Sequence, residues 1–220
     1  MTSRTRIVHH PAAVDRRVAI ERAVAGLLEA CGLDRLRRLD PVGHERLRFG
    51  EVIWNSPTAR LNLRVGEEKP FVPRFLTGAA PPLFVPPKKL RTRLFPDNQQ
   101  ELSLATAWRL VSDGQTVLIY CPERRSVEPF AKVIVDLHSR GALASLLTVD
   151  PATLQTAIAL GEEWLGPNSD ILKCLRLGVA LHHGALPTAY RKEVERLLRD
   201  GVLKVTISSP TLAQGLNLSA

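Results

Sequence analysis

A chain of 220 residues, 45% of them hydrophobic, can bury one large core or one core with an appendage, and it has no apolar run of about 18 residues that could span a membrane. Three cysteines, far apart, odd in number and without a C-x-x-C pair, support neither a disulfide framework nor a zinc site and make a reducing cytoplasm the expected setting. The formal charge is +8, yet residues 1–97 hold 18 Lys+Arg against 10 Asp+Glu while residues 98–220 hold 12 of each, so the whole basic excess is N-terminal and suggests a polyanion, most often nucleic acid.

The first element is expected at residues 13–30, "AVDRRVAIERAVAGLLEA". There Val14, Val18, Val24, Leu27 and Leu28 recur near helical spacing, and Gly32 ends the helix. Residues 49–76 alternate apolar and polar side chains and are broken by "NSPT" and "GEEKP", the pattern of short antiparallel strands, with Trp54 as a packing residue. Residues 78–97 contain Pro81, Pro82, Pro86, Pro87 and Pro96 with a basic cluster at Lys88, Lys89, Arg91 and Arg93. Proline fixes φ and removes backbone donors, so this is an extended connector and the best internal boundary. Three segments follow from it: 1–77, a helix and β-hairpin segment; 78–97, a linker; and 98–220, a domain of different texture.

In that last segment Asp97 or Asn98 can cap a helix running to about Ser112, which Gly114 ends. "TVLIYC" (116–121) reads as a strand buried on both faces, followed by a helix over 127–140. "ALASLLTV" (142–149) is expected as a further strand, 151–164 and 169–176 as helices interrupted by "LGPNSD", and "GVALHH" (178–183) as a strand. A helix then runs to Gly201, and "VLKVTISS" (202–209) forms the final strand. Strands alternating with helices of this length predict an α/β domain with a parallel sheet flanked by helices, preceded by the N-terminal helix and antiparallel strands. Ligands of such sheets sit at the carboxyl ends of the strands, here "CPERRS", "HHGALP" and "SSPTLAQG".

Taken in order, "TVLIYCPERRSVEPFA" and "GVALHHGALPTAYRKEVERLLRDGVLKVTISSPTLAQGLNLSA" resemble motif IV, the "HHAGL" element and motif V in the second RecA-like domain of superfamily-two helicases. The wording is closer to the DExH, Ski-type branch than to the DEAD-box branch. The resemblance covers about residues 98–220. Read as residues, "PERRS" offers two guanidinium forks, Arg124 and Arg125, suited to phosphate oxygens, and Gly184 lets backbone approach a sugar-phosphate closely. The resemblance further implies that Arg191 is the family's basic residue on the following helix, with Thr188 where the DEAD-box branch has Gln. It also implies that Ser209 and Thr211 form the hydroxyl-bearing turn that binds the nucleic-acid backbone, and that Gly215 and Asn217 face the nucleotide. His182 and His183 read as hydrogen-bonded structural residues, and Cys121 as a buried strand-end thiol.

A helicase motor closes ATP and Mg between two RecA-like domains, the first contributing a G-x-x-x-x-G-K-[ST] loop and an Asp-Glu pair. This sequence has neither a Gly-Lys nor an Asp-Glu dipeptide, and no Arg-rich Q-x-x-G-R-x-G-R element. The expectation is therefore part of an ATP-dependent helicase: a second motor domain, incomplete after motif V, that works with a first domain in cis on single-stranded or partly duplex nucleic acid, with no membrane partner. The alternative is a non-catalytic nucleic-acid-binding or adaptor protein derived from a helicase half. Recognition of backbone alone carries no base preference.

Overall fold

Period-two alternation in the N-terminal part becomes a four-stranded antiparallel sheet, in the order β1-β2-β3-β4. The computed structural model describes residues 4–8, 49–64, 71–83 and 94–209. Outside them lie the helix expected at 13–30, the basic cluster of the connector, and the candidate residues Thr211, Gly215 and Asn217. By its contacts the chain forms two units, one of Met1–Ala79 with Leu94–Gln115, the other of Ala80–Arg93 with Thr116–Ala220.

In the first unit, β1 (Arg4–Val8), β2 (Phe49–Asn55), β3 (Thr58–Arg64) and β4 (Phe71–Thr77) pair in sequence order. Val52 faces Leu61 across β2–β3, and Val52, Ala59, Leu61, Val72 and Phe75 build a core on one face of the sheet, the last two brought to it by a bulge in β4. Trp54 packs against this core, and its ring lies where a side chain at Gly78 would have to go. Helix α1 (Gln99–Ser112) covers that face with Leu102 and Leu110. Its start is set as the sequence predicts: Asn98 Oδ1 accepts the N–H of Glu101 at 3.0 Å, and Glu101 Oε2 accepts the N–H of Asp97 at 2.9 Å. The sequence groups this helix with the parallel sheet. Its apolar side instead belongs to the antiparallel one, because period-3.6 spacing defines a buried stripe without saying which sheet buries it.

In the second unit, β5 (Val117–Tyr120), β6 (Val179–His182) and β7 (Val205–Ser208) form a parallel sheet in the order β5-β7-β6. Around it lie α2 (Glu128–Ser139), α3 (Gln155–Leu165), α4 (Asp170–Arg176) and α5 (Thr188–Arg199). Helix α2 packs on α4, α4 on β6, and α3 on α5. Helix α5 ends as its Gly predicts: Gly201, at φ +71, donates to Leu198 O and Val202 to Leu197 O, closing a paired C-terminal turn that only a residue tolerant of the left-handed region makes cheaply.

Two expectations change. Strands β6 and β7 are buried throughout, but β5 alternates, and among the described residues Leu118 and Tyr120, on one face of it, stand 50% and 59% exposed. A continuous apolar run does not reveal which face of a strand is left open. Residues 142–149 form no strand. Leu146 donates one bond to Leu177 O, while the N–H of Leu147 goes to the hydroxyl of Ser145, a local bond that competes with a ladder. The segment crosses so close to Gly178 that a Cβ there would lie 2.8 Å from Leu147 N.

Candidate nucleic-acid interface

Parallel pairing brings the three candidate loops together by construction. Tyr120, Ser208 and His182 share one register row. Beyond it the N–H of Cys121 donates to Ser208 O at 2.8 Å, and that of Ser209 to His182 O at 3.2 Å. Cys121, Ser209 and His183 are thus the next row at the carboxyl edge, though they are 62 and 88 residues from one another along the chain in the order Cys121, His183 and Cys121, Ser209.

After β5 the chain folds into a short 3-10 turn, Arg124–Ser126, which delivers it to α2. Arg124 and Arg125 are both exposed on this turn, and an open groove of about 720 Å³ is lined by Glu123, Arg124, Arg125, Glu128 and Pro129. The two arginines are not equivalent. The guanidinium of Arg125 is paired to the carboxylate of Glu123, whereas Arg124 lies close enough to His183 for its charge to disfavour protonation there.

After β6, His183 and the exposed Gly184 begin a turn closed by Leu186 N–H to His183 O at 3.1 Å, and Pro187 leads into α5. Arg191, in the first turn of α5, donates to the Thr188 hydroxyl at 3.3 Å, and its Nε is buried without a hydrogen-bond partner. The Thr188 hydroxyl therefore orients the Arg191 fork.

The two histidines carry this edge. His182 Nε2 lies 2.8 Å from Glu195 Oε1 on α5. Burial lowers the His182 pKa, opposed by its bond to Glu195. His183 is 1% exposed, with Nε2 3.2 Å from Glu128 Oε1 in an ion-pair contact and neither ring nitrogen in a well-aligned hydrogen bond. Burial again lowers its pKa, opposed by Glu128 and reinforced by Arg124, His182 and Arg191. Arg124 from the first loop and Arg191 from α5 thus both lie near enough His183 for their charge to disfavour its protonation. His182 is hydrogen-bonded as its sequence context predicts; His183 instead has only its contact with the Glu128 carboxylate among the described residues.

The structure brings Arg124, Arg125, Gly184, Arg191 and Ser209 to one edge. Ser209 is buried there, its N–H already satisfied. Sequence reasoning missed Glu123, Glu128 and Glu195. Spacing gave a signal only for Glu128, four residues after Arg124 at a helix start where acids are favoured. Cys121 is buried and burial raises its pKa, so it is a weak nucleophile. Among the described residues no group of three or more His, Cys, Asp or Glu could hold a metal ion, and no helix is long and apolar enough to cross a membrane.

A parallel sheet flanked by helices, with arginines and a glycine turn gathered at its carboxyl edge, is consistent with the RecA-like class of α/β domain. No protein-family model matches the chain. It is 28% identical over 192 residues to the Hachiman protein HamB of Bacillus cereus, an overlap of 84% of this chain and 16% of that protein. It is 29% identical over 110 residues to the DExH-box ATP-dependent RNA helicase DExH14 of Arabidopsis thaliana, covering 50% of this chain and 5% of that one. With the ATP-dependent DNA helicase Hel308 of Thermococcus kodakarensis it shares 32% identity over 119 residues, covering 54% and 10%. Over part of its length the chain is therefore homologous to DExH-box and Hel308 helicases, and it spans about a sixth or less of the length of these relatives.

Proposed function

We propose that residues 98–220 act as part of an ATP-dependent helicase or translocase, supplying a stretch of the track that grips a nucleic-acid backbone and one edge of an ATP site. The observation that carries this reading is that parallel pairing brings the turn bearing Arg124 and the turn bearing Gly184 and leading to Arg191 to one carboxyl edge. Arg124 supplies an exposed guanidinium for a phosphate oxygen. Arg191 supplies a second, oriented by Thr188. The turn at Gly184 lets a sugar-phosphate approach the backbone. Glu195, through His182, fixes the strand end from which this turn departs.

ATP and Mg would supply the free energy for stepping. Gly215 and Asn217, assigned to the nucleotide by resemblance, lie outside the described residues, and no step is derived through them. The P-loop lysine and the Mg-binding acids would come from a first motor domain.

Anisotropy of a labelled single-stranded oligonucleotide, titrated at several salt concentrations, tests the reading. With roughly three to five phosphates neutralised, the log–log salt slope should be about −2 to −3.5. Arg124→Ala should weaken all sequences alike and flatten the slope by about 0.7, and adding Arg191→Ala should flatten it further. Unchanged affinity and slope in the double variant would remove the proposed track.

A further inference from the structure

The antiparallel sheet of the first unit presents a second surface with its own chemistry. Its inner face is closed by Val52, Ala59, Leu61, Val72, Phe75 and α1. The outer face is defined by the register: Ile53 opposite Arg60, Glu51 opposite Asn62, and Asn62 opposite Phe71. Phe71 is a large apolar ring that is 50% exposed, and the exposed Arg60 lies over it, its guanidinium carbon 5.4 Å from the ring centroid. Arg60 is diagonal to Phe71 across β3–β4, the separation at which a long side chain reaches an aromatic neighbour.

A bulge sharpens this face. Between Ala59↔Leu76 and Leu61↔Val72, the single residue Arg60 stands against Pro73, Arg74 and Phe75. The extra residues let both Val72 and Phe75 turn inward and leave Arg74 exposed at φ +53, a conformation that non-glycine residues rarely adopt. The four strands together hold five arginines, at positions 4, 6, 60, 64 and 74, against one acid, Glu51. The backbone register sets Arg4 opposite Ile53 and Arg6 opposite Glu51, the outward positions of β2. Residues 1–97 also hold the whole net charge of the chain.

From this we infer that the outer face of the antiparallel sheet is a binding surface for single-stranded nucleic acid, with Phe71 stacking a base and Arg60 and Arg74 holding the adjoining phosphates. A polyanion matches the one-sided charge. An unpaired base matches an exposed aromatic ring, whose face is freed for stacking when the exposed Arg60 side chain swings from it to an adjoining phosphate. A duplex keeps its bases stacked inside and offers Phe71 nothing. This surface lies in the first unit, outside the strand-end motifs of residues 98–220 on which the proposed track rests.

The test compares binding of the whole chain to oligo-dT and to an abasic oligonucleotide of the same length, which keeps the phosphates and lacks the bases. The wild-type chain should prefer oligo-dT by roughly five- to tenfold, and Phe71→Leu, which keeps apolar bulk and loses the ring, should abolish the preference. Arg60→Gln should weaken both ligands and flatten the salt slope by about 0.7. Arg124→Ala should weaken both and leave the ratio intact, so failure of the track and failure of this surface are told apart. Equal binding of the two oligonucleotides by the wild-type chain, or an undiminished preference in Phe71→Leu with a normal circular dichroism spectrum, would overturn the inference.

Discussion

Replacing Glu195 by Ala isolates the contact that fixes the end of β6. His182 is 1% exposed, Nε2 sits 2.8 Å from Glu195 Oε1, and Nδ1 has no partner among the described residues, so Glu195 is the group there that satisfies the ring. Without it a buried imidazole is left with neither nitrogen paired, a loss of about 1–3 kcal/mol. The Glu195 side chain is itself only 15% exposed, so its removal relieves some desolvation and moves the expectation to the lower half, about 1–2 kcal/mol. For a unit of this size that corresponds to a fall in melting temperature on the order of 5–10 °C. Glu195→Gln keeps an amide oxygen able to accept from Nε2–H and should lose less than half as much. Thermal and urea unfolding followed by circular dichroism give both numbers. Oligonucleotide affinity should fall in parallel at an unchanged salt slope, because no phosphate contact is removed. An Ala variant that melts like wild type would refute the reasoning. A Gln variant as damaged as Ala would show that charge, rather than the hydrogen bond, is what matters.

Two further outcomes concern the same unit. Gly178→Ala should lose at least about 2 kcal/mol, because φ is +82 and the new Cβ would lie 2.8 Å from Leu147 N and 2.9 Å from Leu146 C; Gly201→Ala, at φ +71 with open space around it, should lose only about 1 kcal/mol, and equal losses in urea unfolding would refute the steric argument. Stability should also fall in mild acid: burial holds His182 and His183 below the usual value of 6.5, so the unfolded chain binds more protons below that pH, and the contribution present above about pH 6.5 is lost as pH falls through the folded values. Urea midpoints that are flat from pH 7 to 8.5 and lower at pH 5.5 are expected, and identical midpoints at pH 7.5 and 5.5 would refute it.

Punctuation and order were legible in the sequence. Asn98 caps α1, Gly114 and Gly201 end their helices at positive φ, and three apolar runs each followed by a polar turn announced a parallel sheet with a loaded carboxyl edge. What local pattern cannot encode is which element lies beside which. "TVLIYC" has the composition of a strand buried on both faces yet has one face open among the described residues, and "ALASLLTV" has strand composition yet spends a backbone donor on Ser145. The apolar stripe of α1 was visible, but its choice of sheet was not. At the site, Arg124 and Arg125 look interchangeable in sequence, and only geometry gives Arg125 to Glu123. Glu195 and His182, 13 residues apart, meet because a turn and a helix start lie between them.

The electrostatics of the two surfaces also divide their tasks. The groove beside β5 is lined by two arginines and two glutamates, and residues 98–220 carry no net charge. Such an edge can orient a phosphate, through the forks of Arg124 and Arg191, but its Coulomb attraction for a strand is weak and short in range. In the motor role proposed above, a weak grip at this edge lets the strand be released at every step. Under the same proposal, holding the strand between steps falls to charge placed elsewhere, and residues 1–97 carry all of the chain's excess. On this division, neutralising Arg60 should change how long a strand stays bound, whereas neutralising Arg124 should change how it is gripped. Both variants should flatten the equilibrium salt slope, but in a competitor chase Arg60→Gln should raise the off-rate more than Arg124→Ala does, and equal off-rates would refute the division.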